Sequence, residues 1–120
     1  MSVGFIGAGR MAQAMARGFI ASGLVNRANV LASDPDQRML NAFKELGVKV
    51  TKDNKHVVSK SDVVVLAIKP DLMENVLKDI SPVVSASNLF VSVAAGVTIS
   101  DIEKNLPPNS RVIRVMPNTP

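Results

Sequence analysis

The sequence predicts a doubly wound α/β fold, a parallel sheet of six strands with helices on both faces, and three observations predict it. Short apolar runs alternate with amphipathic helical stretches along all 120 residues. Runs such as "VVVLAI" are continuously apolar, as strands buried on both faces are. The first run passes directly into a glycine-rich bend and a helix-forming segment, "VGFIGAGRMAQAM". Strand, crossover helix and strand repeated in this way build a parallel sheet.

The elements follow in order. "SVGFI" reads as a buried strand, and residues 9–22 as a helix in which Met11, Met15 and Phe19 recur every four positions, with Arg10, Gln13 and Arg17 on other faces and Gly23 as the stop. "ANVLAS" is the second strand. "DPDQRMLNAFKEL" is its helix, with Pro35 in the first turn and Gly47 just past the end. "VKVT" is a short third strand, and a polar helical turn spans residues 53–60. "SDVVVLAIKP" carries the fourth strand, "DLMENVLKDISPVV" a helix bent or ended near Pro82, and "NLFVSVAAG" the fifth strand. "TISDIEKNL" is a helix, the Pro107–Pro108 pair a break, and "RVIRVM" the sixth strand. One domain, residues 1–120, accommodates all of this.

Composition narrows the chemistry. Hydrophobic residues form 47% of the chain and charged residues 20%, a globular balance. No apolar run approaches the length of a spanning helix, and the N-terminus lacks the pattern of a signal peptide, so no membrane partner is expected. Without cysteine there is no disulfide, thiolate zinc site or cysteine nucleophile, and no metal site is expected; a cytosolic setting, or an organelle matrix such as the mitochondrial one, fits. The lone His56 sits in a polar stretch and reads as an ordinary surface residue. Lysines 44, 49, 52, 55 and 60 crowd the middle of a chain of net charge +4, but Glu45 and Asp53 interrupt them and aromatics are only 3%. That is a solvated face without stacking platforms, so nucleic acid is not an expected partner, although a modest positive field suits a small anion.

Gly7-Ala8-Gly9-Arg10-Met11-Ala12 matches G-x-G-x-x-G/A. The small residues serve different ends. Gly7 permits the turn, Gly9 lets bare backbone meet a pyrophosphate, and Ala12 brings the helix close to the sheet. The helix N-terminus supplies free N–H groups and a positive dipole end. Placed between strand and helix in the first unit, the pattern marks a Rossmann-type NAD(P)-binding domain. An acidic residue is expected roughly 20 positions on, and Asp34 in "LASDPDQR" fits two roles, acceptor for the adenosine ribose or helix N-cap. As a ribose acceptor it favours NADH, while Ser33, Arg38, Lys52 and Asn54 could accommodate a 2′-phosphate instead. Ligands of open α/β sheets bind beyond the carboxyl ends of the strands. There the chain has Ala67-Ile68-Lys69-Pro70, Ala94-Ala95-Gly96 and Pro117-Asn118-Thr119-Pro120. Lys69, read as an ammonium at the end of a buried strand, calls for an anion or water.

Taken together, "MSVGFIGAGRMAQAMARGF", "AIKP", "SVAAGVTISDIE" and "RVIRVMPNTP" resemble the N-terminal domain of the pyrroline-5-carboxylate reductases, over essentially the whole chain. The resemblance implies NAD(P)H-dependent reduction of a cyclic imino acid to proline. It implies that Ile6 through Met11 form the dinucleotide loop, that Ser33, Asp34 and Asn54 surround the adenosine ribose, and that Ala67–Pro70 and Ala94–Gly96 border the nicotinamide half. Asn118 and Thr119 would lie near the substrate, or simply form a turn, and no catalytic proton donor is assigned. Family members continue into a helical C-terminal domain that forms a homo-oligomer and most of the imino-acid pocket, so these residues are expected to bind cofactor with little or no turnover. Two other functions share the fold: a different nicotinamide-dependent dehydrogenase, and a non-catalytic nucleotide-sensing module.

Overall fold

The computed structural model describes residues 1–115. Six strands form one sheet: β1 (Val3–Ile6), β2 (Val30–Ser33), β3 (Lys49–Thr51), β4 (Val63–Leu66), β5 (Leu89–Ser92) and β6 (Arg111–Arg114). Their order is β3-β2-β1-β4-β5-β6 and every pair is parallel. Strand order therefore reverses at β1, and the crevice beyond β1 and β4 is the switch point of the fold. The register aligns the carboxyl ends, with Thr51, Ser33, Ile6, Leu66, Ser92 and Arg114 lying in one row across the sheet. Every loop that could hold a ligand thus leaves from one edge.

Five helices cover the sheet: α1 (Arg10–Ala21), α2 (Gln37–Lys44), α3 (Asn54–Lys60), α4 (Pro70–Ile80) and α5 (Ile99–Glu103). α1 and α2 lie on one face, where Phe5 and Phe43 are fully buried with ring centroids 5.7 Å apart. α3, α4 and α5 cover the other face through Val57, Leu77, Ile102 and their neighbours around Phe90. Burying a phenylalanine of this kind contributes roughly 1.5–3 kcal/mol. The outer strands carry charge: Lys49 on β3, and Arg111 and Arg114 on β6, are all exposed.

Three local expectations need correction. On α1 the buried positions are Ala12 and Ala16; Met15 and Phe19 are half-buried and Met11 is 40% exposed. The helix lies so near the sheet that only a methyl group fits beneath it, and the larger residues are displaced to the flanks. On α2 Pro35 precedes the helix instead of starting it, because Asp36 is the N-cap and accepts the Arg38 N–H. The Arg38 guanidinium, and then its amide, hold the Asp36 carboxyl below the usual carboxylate range. Strands β4 and β5 are shorter than their apolar runs, ending at Leu66 and Ser92. Ala67 and Val93 each donate one further ladder bond, to Ile6 and Leu66, before the chain turns away.

Candidate functional site

The glycine bend leaves β1 at the centre of the carboxyl edge. Gly7 has φ +98°, and a Cβ there would run into the Ala67 carbonyl oxygen. The Gly7 amide donates to the Ser33 carbonyl at 2.9 Å, tying the bend to β2. Gly7 is thus required by the protein itself. Gly9 differs: its φ of −75° is ordinary, and a Cβ there would meet nothing within 4 Å. Among the described residues nothing occupies the space a Gly9 side chain would take, and glycine there is an acceptable helix N-cap.

That room lies at the start of α1. Gly9 is the N-cap and has no side chain to cap with, and the first turn holds no acidic residue. Among the described residues, the amides of Gly9, Arg10 and Met11 donate to no protein acceptor. Open N–H groups at the positive end of a twelve-residue helix, behind a residue without a side chain, are donors available to an anion.

Beside the bend, β2 delivers Asp34, half-buried. Its Oδ2 accepts the Ala8 N–H at 2.9 Å and its Oδ1 accepts the Asp36 N–H at 2.8 Å. Of the two roles the sequence offers Asp34, the helix cap belongs to Asp36; Asp34 instead closes the local turn with its own backbone and reaches across to the glycine bend. Ser33 is fully buried, and its hydroxyl donates to Asn54 Oδ1 at 2.6 Å, so it meets the site through Asn54. Asn54 opens α3 and is half-buried. Arg38 and Lys52 are exposed.

The other flank is formed by the loops after β4 and β5. Ala67 and Ile68 are half-buried, Lys69 and Pro70 exposed, Ala94 buried, and Ala95 and Gly96 exposed. Lys69 is not the end of a buried strand: it follows the strand by three residues, stands in water as the N-cap residue of α4, and needs no partner to offset burial. Pro70 and Gly96 meet across a cavity of about 250 Å³ between α4 and α5, with Met73 and Asp101. Asn118 and Thr119 lie outside the described residues. One residue of the site was not anticipated from the sequence. Gln13, assigned there to an outward face, is half-buried and donates from Nε2 to the Ala8 carbonyl at 2.9 Å. Among the described residues no group of three His, Cys, Asp or Glu side chains could hold a metal ion, and no helix is long and apolar enough to cross a membrane.

A switch-point crevice with a glycine bend, an open helix N-terminus and an acid on the neighbouring strand defines a dinucleotide-binding domain of the doubly wound class. Comparison with known proteins agrees. A family model described as NADP oxidoreductase, coenzyme F420-dependent, matches residues 2–96, and the chain belongs to that family. Among curated relatives, pyrroline-5-carboxylate reductase 3 of Mus musculus is 47% identical over 118 residues, covering 98% of this chain and 43% of its own length. A pyrroline-5-carboxylate reductase structure from Coxiella burnetii superposes with a TM-score of 0.92 at 38% identity, over 99% of this chain and 44% of that one. A Plasmodium falciparum pyrroline carboxylate reductase, solved with NADP bound, gives 0.85 at 27% identity, over 98% and 42%. The chain thus spans less than half the length of the relatives it matches.

Proposed function

We propose that this chain is the cofactor-binding portion of a pyrroline-5-carboxylate reductase, with NADH as the preferred cofactor. The observation that carries the reading is the contrast at the bend: a Cβ at Gly7 would run into the Ala67 carbonyl, whereas one at Gly9, the N-cap of α1, would meet nothing within 4 Å. In this reading the amides of Gly9, Arg10 and Met11 hold the pyrophosphate, and Ile6 to Ala8 form the floor beneath it. Asp34 and Asn54 face the adenosine ribose, with Ser33 behind Asn54. Ala67 to Pro70 and Ala94 to Gly96 flank the nicotinamide half. When bound, the dihydronicotinamide supplies a hydride to the imine carbon of 1-pyrroline-5-carboxylate, whose nitrogen already carries a proton, giving proline. The role of these residues is to bind and orient the cofactor.

Asp34 supports the NADH preference. Its carboxylate can accept from ribose hydroxyls, and it repels a 2′-phosphate placed beside it. Titration of NADH and NADPH against the purified chain, read by nicotinamide fluorescence, tests both parts. Binding of NADH more tightly than NADPH is expected, and Asp34→Ser should move the ratio about tenfold or more towards NADPH, the size of a contact to a charged group. Binding of neither dinucleotide overturns the assignment, and tighter binding of NADPH overturns the preference alone. A protein of the relatives' length should reduce 1-pyrroline-5-carboxylate, not hydroxy-acid substrates, while the 120 residues alone should show little or no turnover.

A further inference from the structure

The backbone of Ala8 is held on both sides by side chains, one on each of the two peptide groups that flank its Cα, an arrangement the dinucleotide pattern does not require. Its N–H donates to Asp34 Oδ2 and its C=O accepts from Gln13 Nε2, each at 2.9 Å. The Ala8 methyl group is fully buried. The two clamping side chains come from different elements, Asp34 from the end of β2 and Gln13 from the second turn of α1. Asp34 is itself anchored, because its other oxygen accepts the Asp36 N–H. Gln13 is fixed at its root by the first helical bond of α1, its amide donating to the Gly9 carbonyl at 2.9 Å.

We propose that Gln13 and Asp34 are positioning residues that clamp the two peptide groups flanking Ala8 and so set the glycine bend before the cofactor arrives. The proposal rests on the dinucleotide-binding reading above and adds to it a residue outside the G-x-G-x-x-G/A pattern. The physical basis is preorganisation. A bend of two glycines around one alanine has wide conformational freedom, and a ligand that must order it binds more weakly by the fraction of time the bend is out of place. Holding both polar groups of the middle residue removes that freedom. The neighbouring amides of Gly9, Arg10 and Met11 are left open, so the clamp orients the cradle without occupying it. Asp34 then acts twice, since the carboxylate that faces the ribose also holds the bend that faces the diphosphate.

The test uses Gln13→Met, which keeps length and helix propensity and removes the donor. NADH, NADPH and adenosine are titrated against the ¹⁵N-labelled chain, unaltered and variant, and amide exchange of Ala8 and Gly9 is followed by NMR. The expected result is a fall of about three- to tenfold in affinity for both dinucleotides by the same factor, the range one net hydrogen bond gives. Adenosine, which lacks the phosphates, should bind unchanged. Ala8 should exchange faster, and Asp34→Asn should quicken it as well. Combined, the two substitutions should cost less in NADH affinity than the product of their separate effects, because both act on the backbone of one residue. Unchanged dinucleotide affinity would overturn the clamp, and so would an equal loss for adenosine or unequal losses for the two dinucleotides. Failure of the unaltered chain to bind NADH would instead overturn the reading beneath it.

Discussion

The two corners of the carboxyl edge are built differently. At the corner of β1 and β2 a run of side-chain and backbone bonds braces the bend, Gly7 to Ser33, Ala8 to Asp34 and Gln13, Asp34 to Asp36, Ser33 to Asn54, while the amides at the start of α1 stay open. At the corner of β4 and β5 the chain offers exposed Lys69, Pro70, Ala95 and Gly96, and among the described residues no ion pair engages Lys69. The first corner is braced by its own hydrogen bonds, and the proposed function assigns the diphosphate and the ribose to it. The second is open wall. Rigidity is concentrated where a ligand part common to all dinucleotides is to be held.

The comparison can be broken, and the most damaging substitution comes first. Gly7→Ala should destabilise the fold by about 2–5 kcal/mol, since a positive φ and an overlap with the Ala67 carbonyl act together. Chemical denaturation measures this, and a loss under about 1 kcal/mol would show that the bend relaxes freely. Gly9→Val should cost only about 1 kcal/mol of stability, the loss of a favourable N-cap, because a Cβ there meets nothing within 4 Å. NADH affinity should nevertheless fall by about a hundredfold or more, roughly 2.7 kcal/mol. A folded Gly9→Val chain that titrates normally would dissolve the contrast between the two glycines. Lys69→Ala sharpens the comparison from the other corner: loss of an exposed ammonium should change NADH affinity by less than about threefold at physiological salt. A loss of about tenfold would mean that the second corner also grips the cofactor.

The smallest effect lies far from both corners. Asp62 accepts the Ser2 N–H at 2.9 Å and the Ser2 hydroxyl at 3.2 Å, and these bonds, the backbone one foremost, hold its carboxyl below the ordinary value of 3.8. A lowered folded pKa stabilises above the unfolded value, and that contribution is lost as pH falls through the folded one. Asp62→Asn should therefore lower the midpoint of thermal unfolding slightly at about pH 7, with the difference from the unaltered chain shrinking below about pH 4. A difference that grows in acid would contradict the sign.

The architecture was legible because it rests on period and composition. Continuous apolar strands, polar-faced helices and a glycine bend in the first unit led to a six-stranded parallel sheet. The site was legible wherever a residue type is forced, as at Gly7. What stayed hidden depended on distance between elements. In the Met11–Met15–Phe19 stripe, Met15 and Phe19 pack against the flank of the core while Met11 is exposed, and the close approach of helix to sheet puts Ala12 and Ala16 at its centre. Gln13 lay off the apolar stripe with no role to read from the sequence, and only the fold of the bend back over α1 brings Ala8 within its reach. Pro35 and Asp34 suggested an earlier helix start, because Asp36 competes for the same role with an arginine placed to reinforce it.

The charged rims of the sheet have a consequence for crowded solution. Unpaired outer strands invite a neighbouring molecule to extend the sheet, and exposed Ile113 on β6 and Val115 just beyond it would reward that contact. Here Lys49 guards one rim and Arg111 and Arg114 the other, so two copies meeting rim to rim bring cation against cation. Added salt shortens the reach of such repulsion to a few ångströms, so this guard acts most strongly at low ionic strength.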